Sequence, residues 1–250
     1  MIFDFKDYNS WMSKLEPVFR DYDYTPIVEK FTNNNETLTI DDITNVIGYK
    51  IINIIKNRLQ NKYNYIVFYH GTATNNVSSY LEKGLLPLDI KERNLFAREL
   101  FNQKEYPEIT DIYFIEATKK QFENKNSLKC REKKLFLTFD DDILKTASSH
   151  YVMYGGEHLL HLAQNLGCKY PSELPKKLKP LILKCRVPWK LLSENIDIIT
   201  EEIIIRYFEN IIYPESKFEA LDSGISITTR IKPNDIIGFE FPQEIQQFYY

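Results

Sequence analysis

The pattern of apolar and polar positions divides the chain into helices and short strands. Residues 43–59 place isoleucine, valine and leucine three and four positions apart, which predicts a helix with one buried face and Asp41 or Asp42 as its N-cap. Residues 65–69 form an apolar run rich in β-branched and aromatic residues, typical of a buried strand. Further strands are predicted over 111–115, 134–138 and 180–187, with a final pair over 225–231 and 236–241 joined at a proline turn.

Glycines mark the ends of several predicted helices. Gly84 follows a helix predicted over 75–83, and Gly167 closes one that opens at Gly155-Gly156. Two more helices are predicted over 91–103 and from Thr200, as N-cap, to about 212. Because strands and helices alternate irregularly, the predicted fold class is α+β, built around a modest mixed sheet with flanking helices.

Residues 1–60 look helical, with a loop predicted at Asn33-Asn34-Asn35, and contain none of the predicted strands. The chain shows no repeat, no low-complexity tract and no linker rich in proline, glycine or serine. We therefore expect an N-terminal helical extension over 1–60 and one larger domain over 61–250.

Composition excludes several classes of protein. With 43% hydrophobic and 27% charged residues in 250, the chain is a globular protein and not a disordered one. A net charge of −3 excludes a wholly basic nucleic-acid coat. The three cysteines form no CxxC pair, which excludes a zinc finger and a disulfide framework. Acidic residues at the N-terminus and the lack of a long apolar run predict a cytoplasmic protein with no membrane partner.

Two stretches depart from the acidic average. Residues 119–134 carry seven basic residues against two acidic ones, and a second basic stretch runs over 169–186. Such a local excess suits docking of a nucleic-acid backbone, and it is equally typical of solvated loops. Aromatic residues are sparse in both stretches, which disfavours a platform for stacked single-stranded bases.

The first candidate for chemistry is His70-Gly71-Thr72, at the end of the strand predicted over 65–69. A histidine in this place can hydrogen-bond a ribose hydroxyl. A glycine beside it lets a flat ring approach the backbone, whose N–H and C=O can pair with an amide. The alternative is a strand that simply ends in a polar turn.

A second candidate is the cluster of three histidines, His150, His158 and His161. The i, i+3 spacing of His158 and His161 places both on one helical face beside Glu157, which invites a metal-hydrolase interpretation. The HExxH motif with its i, i+4 pair is absent, however, so capping or surface histidines are favoured and no metal is expected.

The third candidate is Tyr154-Gly155-Gly156-Glu157. Two adjacent glycines, in a chain with eight in all, indicate a place where the backbone closely approaches a neighbouring group. Glu157 is either a functional carboxylate or a first-turn acid that the helix dipole favours.

Several of these motifs together resemble the ADP-ribosyltransferase superfamily. His70-Gly71-Thr72 at the end of a first strand, followed by a short helix and 83–87 (Lys-Gly-Leu-Leu-Pro), resembles the opening shared by bacterial toxins, poly-ADP-ribose polymerases and RNA 2′-phosphotransferases. The segments 111–115 and 229–237 resemble the second motif and the closing strand pair. The resemblance covers about 63–240 and implies a split mixed sheet.

The resemblance implies NAD as co-substrate and a mono-ADP-ribosyltransferase of the toxin type. His70 would hold the ribose, Gly71 and Thr72 the nicotinamide end, and Tyr113 or Tyr154 would stack on the ring. Toxins of this type imply a nucleic-acid (RNA or DNA) or protein target and an antitoxin partner, for which residues 1–60 are the expected docking segment.

One position departs from the family pattern. The catalytic glutamate usually stands near the start of the closing strand, where this chain has Ser226. Glu157 is therefore the predicted catalytic carboxylate, with Glu219 as its competitor. An RNA 2′-phosphotransferase and a non-catalytic scaffold that binds NAD or a partner remain the alternative functions.

Overall fold

The computed structural model of the protein describes residues 1–32, 36–121, 128–214 and 224–246. The chain divides into two compact units. The first is Met1–Val67 with Arg186–Ser223, and the second is Phe68–Cys185 with Gly224–Tyr250. The first unit thus contains residues 1–60, the predicted extension. It also contains 61–67 and 186–223, which the sequence analysis assigned to the domain over 61–250.

The first unit is built mainly of helices. Its elements are β1 (Ile2–Phe3), α1 (Tyr8–Phe19), α2 (Thr25–Thr32), α3 (Ile40–Ile47), α4 (Lys50–Lys62) and, from the second segment, α12 (Ile196–Ile212). Aromatic residues join the two segments: the rings of Phe19 and Tyr207 stack with centroids 4.4 Å apart, and the Tyr213 hydroxyl donates to the Phe31 carbonyl at 2.7 Å.

Three features of the helices in this unit differ from the sequence prediction: the break at Gly48, the N-cap of α3 and the place of Thr200. The helix predicted over 43–59 is two helices, because Gly48 has φ +90° and breaks the run between α3 and α4. The N-cap of α3 is Thr39, which forms a capping box with Asp42. Thr200 is not an N-cap: it lies inside α12 and its hydroxyl donates to the Ile196 carbonyl.

The second unit combines short helices with most of the sheet. Its helices are α5 (Ser78–Lys83), α6 (Ile90–Leu100), α7 (Asp111–Lys120), α8 (Asp141–Lys145), α9 (His150–Tyr154), α10 (Glu157–Leu166) and α11 (Leu174–Lys177). Its own strands are β3 (Leu135–Thr138), β5 (Gly224–Ile227) and β6 (Ile236–Glu240). Strands β2 (Tyr65–Thr74) and β4 (Lys179–Pro188) each begin in one unit and end in the other.

The described strands form one open sheet in the order β5-β3-β2-β4-β6, with β1 paired in parallel to β2. The pairs β2–β3, β3–β5 and β4–β6 are antiparallel. The α+β class is confirmed. The sequence predicted that the two final strands form a pair joined at a proline turn. In the structure they are not paired with each other, because β5 and β6 lie at opposite edges of the sheet.

The prediction of a strand over 111–115 is wrong. These residues begin helix α7, whose N-cap Thr110 accepts from the Tyr113 amide. Phe114 and Ala117, three positions apart, are buried, whereas Ile112 and Ile115 are 73% and 50% exposed. The apolar run therefore wraps around a helix, and only one side of it enters the core.

Within the described ranges, no helix combines the length and the apolar character that crossing a lipid bilayer requires.

Candidate functional site

Glu157 lies at the centre of a polar network in the second unit. Its Oε2 atom is 2.9 Å from Nη2 of Arg131, and its Oε1 atom accepts from the Tyr151 hydroxyl at 3.2 Å. Arg131 Nη1 donates to the same hydroxyl at 3.0 Å, and His150 Nε2 lies 3.6 Å from Oε1. We call these four residues the Glu157 network.

A tight reversal between two helices builds the network. Gly155 ends α9 in the left-handed region with φ +74°, and Gly156 follows with φ +102° as the N-cap of α10. The turn sends the chain back so that Glu157, the first residue of α10, meets Tyr151 from α9. Only glycine adopts both conformations without strain, which explains the adjacent pair that the sequence singled out.

The network keeps Glu157 ionised. Burial alone works to raise the pKa of the Glu157 carboxyl, but the nearby His150 ring, the charge of Arg131 and the hydrogen bond from Tyr151 outweigh it and lower that pKa. Burial and the neighbouring carboxylate raise the pKa of Tyr151, which keeps its hydroxyl protonated. At neutral pH Glu157 is therefore an ionised, half-buried carboxylate that is paired with Arg131 and accepts a hydrogen bond from the protonated Tyr151.

His70 lies near the end of β2 and is held by the adjacent strand. Its Nδ1 atom is 2.9 Å from the backbone carbonyl oxygen of Phe136 in β3. Burial lowers the pKa of His70, the carbonyl of Phe136 opposes that effect, and the charge of Arg93 adds to it. The guanidinium of Arg131 lies over the Phe136 ring, 4.9 Å from its centroid. Phe136 thus contacts both His70 and the Glu157 network.

The residues after His70 continue the strand and are buried. A Cβ on Gly71 would come within 2.9 Å of Leu144 and 3.1 Å of Val152, so glycine is required here by the packing of α8 and α9. The Thr72 hydroxyl lies 3.4 Å from the hydroxyl of Tyr80 in α5. The polar turn considered from the sequence does not exist at this point, because β2 extends to Thr74.

The two candidate ring-stacking tyrosines lie against one apolar core, formed mainly by α6, α7 and α10. The Tyr113 hydroxyl donates to the Leu166 carbonyl at 2.9 Å. Tyr154 ends α9 immediately before the glycine turn, and burial raises its pKa. Tyr154 lies on the same helix, α9, as Tyr151 and His150 of the Glu157 network, whereas Tyr113 lies on α7.

Arg93 and His158 form a second group of polar residues beside the same turn. An Nη atom of Arg93 donates to the Gly155 carbonyl, and the guanidinium lies 5.0 Å from the Phe96 ring centroid. Burial lowers the pKa of Arg93. His158 is 4% exposed, neither of its ring nitrogens has a hydrogen-bond partner among the described residues, and burial lowers its pKa to about 4.

The histidines of α10 do not face the same surroundings, since His158 is buried and His161 is exposed. Within the described ranges, the residues close enough to hold a metal together are Asp140, Asp141 and Asp142. Asp140 caps α8 and Asp141 pairs with Lys145 at 2.6 Å, so the fold already uses these carboxylates.

Three of the six basic residues in the second basic stretch are paired with acids. Its ion pairs are Lys169 with Glu108, Lys176 with Glu173, and Lys177 with Glu105. Arg98 in α6 likewise pairs with Asp111 at 2.7 Å. These partners remove much of the local positive excess that the sequence suggested for a nucleic-acid surface.

Sequence reasoning singled out Glu157 and His70 but missed Arg131 and Tyr151 as the partners of Glu157. Arg131 was counted only as one basic residue among lysines, although it is the one arginine of residues 119–134. The signal for Tyr151 was the glycine pair, because a reversal at 155–156 returns the chain toward the residues just before it.

Glu219, the competing carboxylate, lies outside the described residues. Comparison of the chain with protein-family models, with curated proteins and with solved structures gives no significant match.

Proposed function

We propose that the protein is a toxin-type mono-ADP-ribosyltransferase that transfers ADP-ribose from NAD to a nucleic-acid or protein target. The observation that carries the proposal is the Glu157 carboxylate, which its neighbours keep ionised in a half-buried site and which Phe136 links to His70. The sequence motifs around these two residues, and their resemblance to the ADP-ribosyltransferase superfamily, give the class of reaction.

The chemistry needs a negative charge beside the ribose. When the bond between nicotinamide and ribose breaks, positive charge develops on the sugar in an oxocarbenium-like transition state, as in glycoside hydrolysis. A fixed carboxylate stabilises that charge, and neutral nicotinamide leaves with the bonding electron pair, so no acid has to protonate it. The ribose carbon then bonds to a nucleophile of the target, which loses its proton.

Each residue of the site has a role in this scheme. Glu157 acts on the ribose 2′-hydroxyl and the developing charge. His70 binds a ribose hydroxyl, and Tyr154 stacks on the nicotinamide ring. Tyr151 and Arg131 are positioning residues, because each contacts the Glu157 carboxylate directly and fixes its orientation. Tyr113, whose hydroxyl is bound to the Leu166 carbonyl, serves the core of the second unit in this scheme.

The test uses Glu157→Gln in the full chain. Water serves as acceptor when the target is unknown, so release of nicotinamide from NAD is followed by chromatography. Glutamine keeps the shape but removes the charge that acts in the transition state, so we expect a rate about 10²–10³ lower with NAD affinity little changed. Glu219→Gln should remain within a few-fold of the parent.

Glu173→Gln is the matched control. Like Glu157, Glu173 accepts from a tyrosine hydroxyl at 3.2 Å and from a cation at 2.8 Å, and its side chain is 25% exposed against 21% for Glu157. Loss of rate in both variants would indicate a structural effect and contradict the assignment. NAD bound by the parent without any turnover would contradict the proposed activity and favour the scaffold alternative.

A further inference from the structure

Arg93 of α6 lies beside the start of helix α10, where the first-turn acid Glu157 is paired with Arg131 and not with Arg93. Arg93 is held there by its hydrogen bond to the Gly155 carbonyl, and a Cβ on Gly155 would come within 3.0 Å of its Nη2 atom and 3.2 Å of the Ala73 carbonyl oxygen. Among the described residues, no carboxylate lies within ion-pair distance of Arg93. A partly buried guanidinium without a counter-charge is costly unless an anion joins it.

Arg131 provides the contrast at the same turn. Its charge is matched by Glu157 at 2.9 Å, so the two ions of that pair balance each other. Arg98, one turn along α6 from Arg93, is likewise matched by Asp111 at 2.7 Å and also donates to the Phe101 and Ile109 carbonyls. Of these three arginines, Arg93 differs in that its contacts with the described residues are to a carbonyl and a ring and include no carboxylate.

The helix end beside Arg93 has unused hydrogen-bond donors. The N-cap of α10 is Gly156, which has no side chain to cap the first-turn N–H groups. The helix dipole adds partial positive charge at this end. Helix N-termini with these properties are frequent binding sites for phosphate groups.

His158 is an independent indication of a ligand. Its ring, in the first turn of α10, is buried, and both ring nitrogens lack a protein partner among the described residues. A buried imidazole normally satisfies at least one nitrogen. Because burial lowers its pKa to about 4, the ring is neutral at pH 7 and offers one N–H donor without adding charge.

We propose that Arg93, His158 and the N-terminus of α10 form a binding site for a phosphate oxyanion. Arg93 provides the charge, and the first-turn N–H groups and His158 provide donors. The phosphate is either a free ion or part of a nucleotide. The site uses none of the side chains of the Glu157 network and does not rest on the proposed transfer reaction.

Calorimetric titration of the full chain tests the site. Inorganic phosphate and ADP-ribose are titrated separately, and saturable binding at one site is expected for at least one of them. Arg93→Gln keeps a donor for the Gly155 carbonyl but loses the charge, and should weaken binding about tenfold to a hundredfold. His158→Gln should weaken it less, since glutamine retains an N–H donor. Arg98→Gln, on the same helix, should bind like the parent.

The two ligands distinguish the source of the phosphate. Tighter binding of ADP-ribose than of inorganic phosphate identifies a nucleotide, and equal binding identifies a site for the free ion. Equal weakening by Arg93→Gln and Arg98→Gln, or no saturable binding of either ligand to the parent, overturns the proposal. If Arg93→Gln fails to fold by circular dichroism, the chemical shift of the His158 ring nitrogens in the parent decides: it should change on titration.

Glu157→Gln separates this inference from the proposed function. That variant should lose nicotinamide release and still bind the phosphate ligand with the affinity of the parent. A failure of transfer chemistry therefore leaves the phosphate site standing, and a failure of phosphate binding leaves the proposed role of Glu157 standing.

Discussion

The Nδ1 atom of His70 lies 2.9 Å from the backbone carbonyl oxygen of Phe136 across two antiparallel strands. A carbonyl oxygen only accepts hydrogen bonds, so Nδ1 carries the proton. Because burial lowers the pKa of His70, the ring is neutral at pH 7 and its Nε2 atom is an acceptor. This tautomer suits a ribose hydroxyl, which would donate to Nε2.

His70→Ala should therefore weaken NAD binding while the chain stays folded. A single hydrogen bond of this kind contributes about 0.5–1.5 kcal/mol, which corresponds to a few-fold to about tenfold change in affinity. His161→Ala, at an exposed position, is the control. Affinity is measured by calorimetry with NAD, and an unchanged value in His70→Ala would remove His70 from the binding site.

His158 should make the folded state sensitive to acid. Its pKa is lowered from the ordinary 6.5 to about 4. Below pH 6.5 the imidazole of His158 is therefore protonated in the unfolded chain, whereas in the folded chain it stays neutral down to about pH 4. The stability is complete above pH 6.5 and falls as the pH drops toward 4. From pH 7 to pH 5 the free energy of unfolding should fall by roughly 2 kcal/mol through this residue.

Urea unfolding at the two pH values measures this effect. His158→Gln should remove most of the difference between pH 7 and pH 5, whereas His161→Gln, one turn along the same helix, should keep it. A parent chain with equal stability at both values would show that His158 does not titrate as its burial requires.

Gly84 and Gly48 should respond differently to alanine. Both have positive φ, +80° and +90°, but a Cβ on Gly84 would lie 2.1 Å from the Ile231 carbonyl oxygen, whereas one on Gly48 meets nothing within 4 Å. Gly48→Ala should cost about 1–2 kcal/mol of stability from backbone strain alone. Gly84→Ala should cost several kcal/mol, since it also breaks the bridge between Leu85 and Ile231. Equal losses of stability for the two variants in thermal unfolding would show that the bridge between Leu85 and Ile231 accommodates the added Cβ at little cost.

Expression of the chain alone should arrest bacterial growth if the proposed toxin function holds. Glu157→Gln should abolish the arrest and Glu173→Gln should retain it, at equal protein levels on an immunoblot. Incorporation of label from NAD into nuclease-sensitive or protease-sensitive material identifies the class of target. Normal growth with the parent chain at high level would contradict the toxin function.

Much of the local structure followed from sequence patterns, and the exceptions have physical causes. The strand that ends near His70, the strand over 180–187 and the helix after Gly156 were predicted correctly, because each has a long apolar pattern or a glycine boundary. The apolar run at 111–115 was too short for its pattern to distinguish a strand from a helix. Thr110, which caps the first turn of α7, favours the helix.

The site was only half visible in the sequence. Glu157 stood out because of the glycines before it, but its partner Arg131 comes from a segment with no distinctive pattern, and only the tertiary fold brings it within 2.9 Å. The opposite placement of β5 and β6 was invisible for the same reason, since strand order depends on pairing across the sheet and not on order in the chain.

The split of the first unit into two sequence segments has a consequence for how the protein is made. Helices α1 to α4 leave the ribosome early, but α12, which packs against α2, α3 and α4, follows only after residues 63–195 have been added. At about 5–20 residues per second the early helices wait on the order of ten seconds for their partner. Nascent chains therefore expose apolar helix faces for that interval, and chaperone capture should be strongest on chains stalled between α4 and α12.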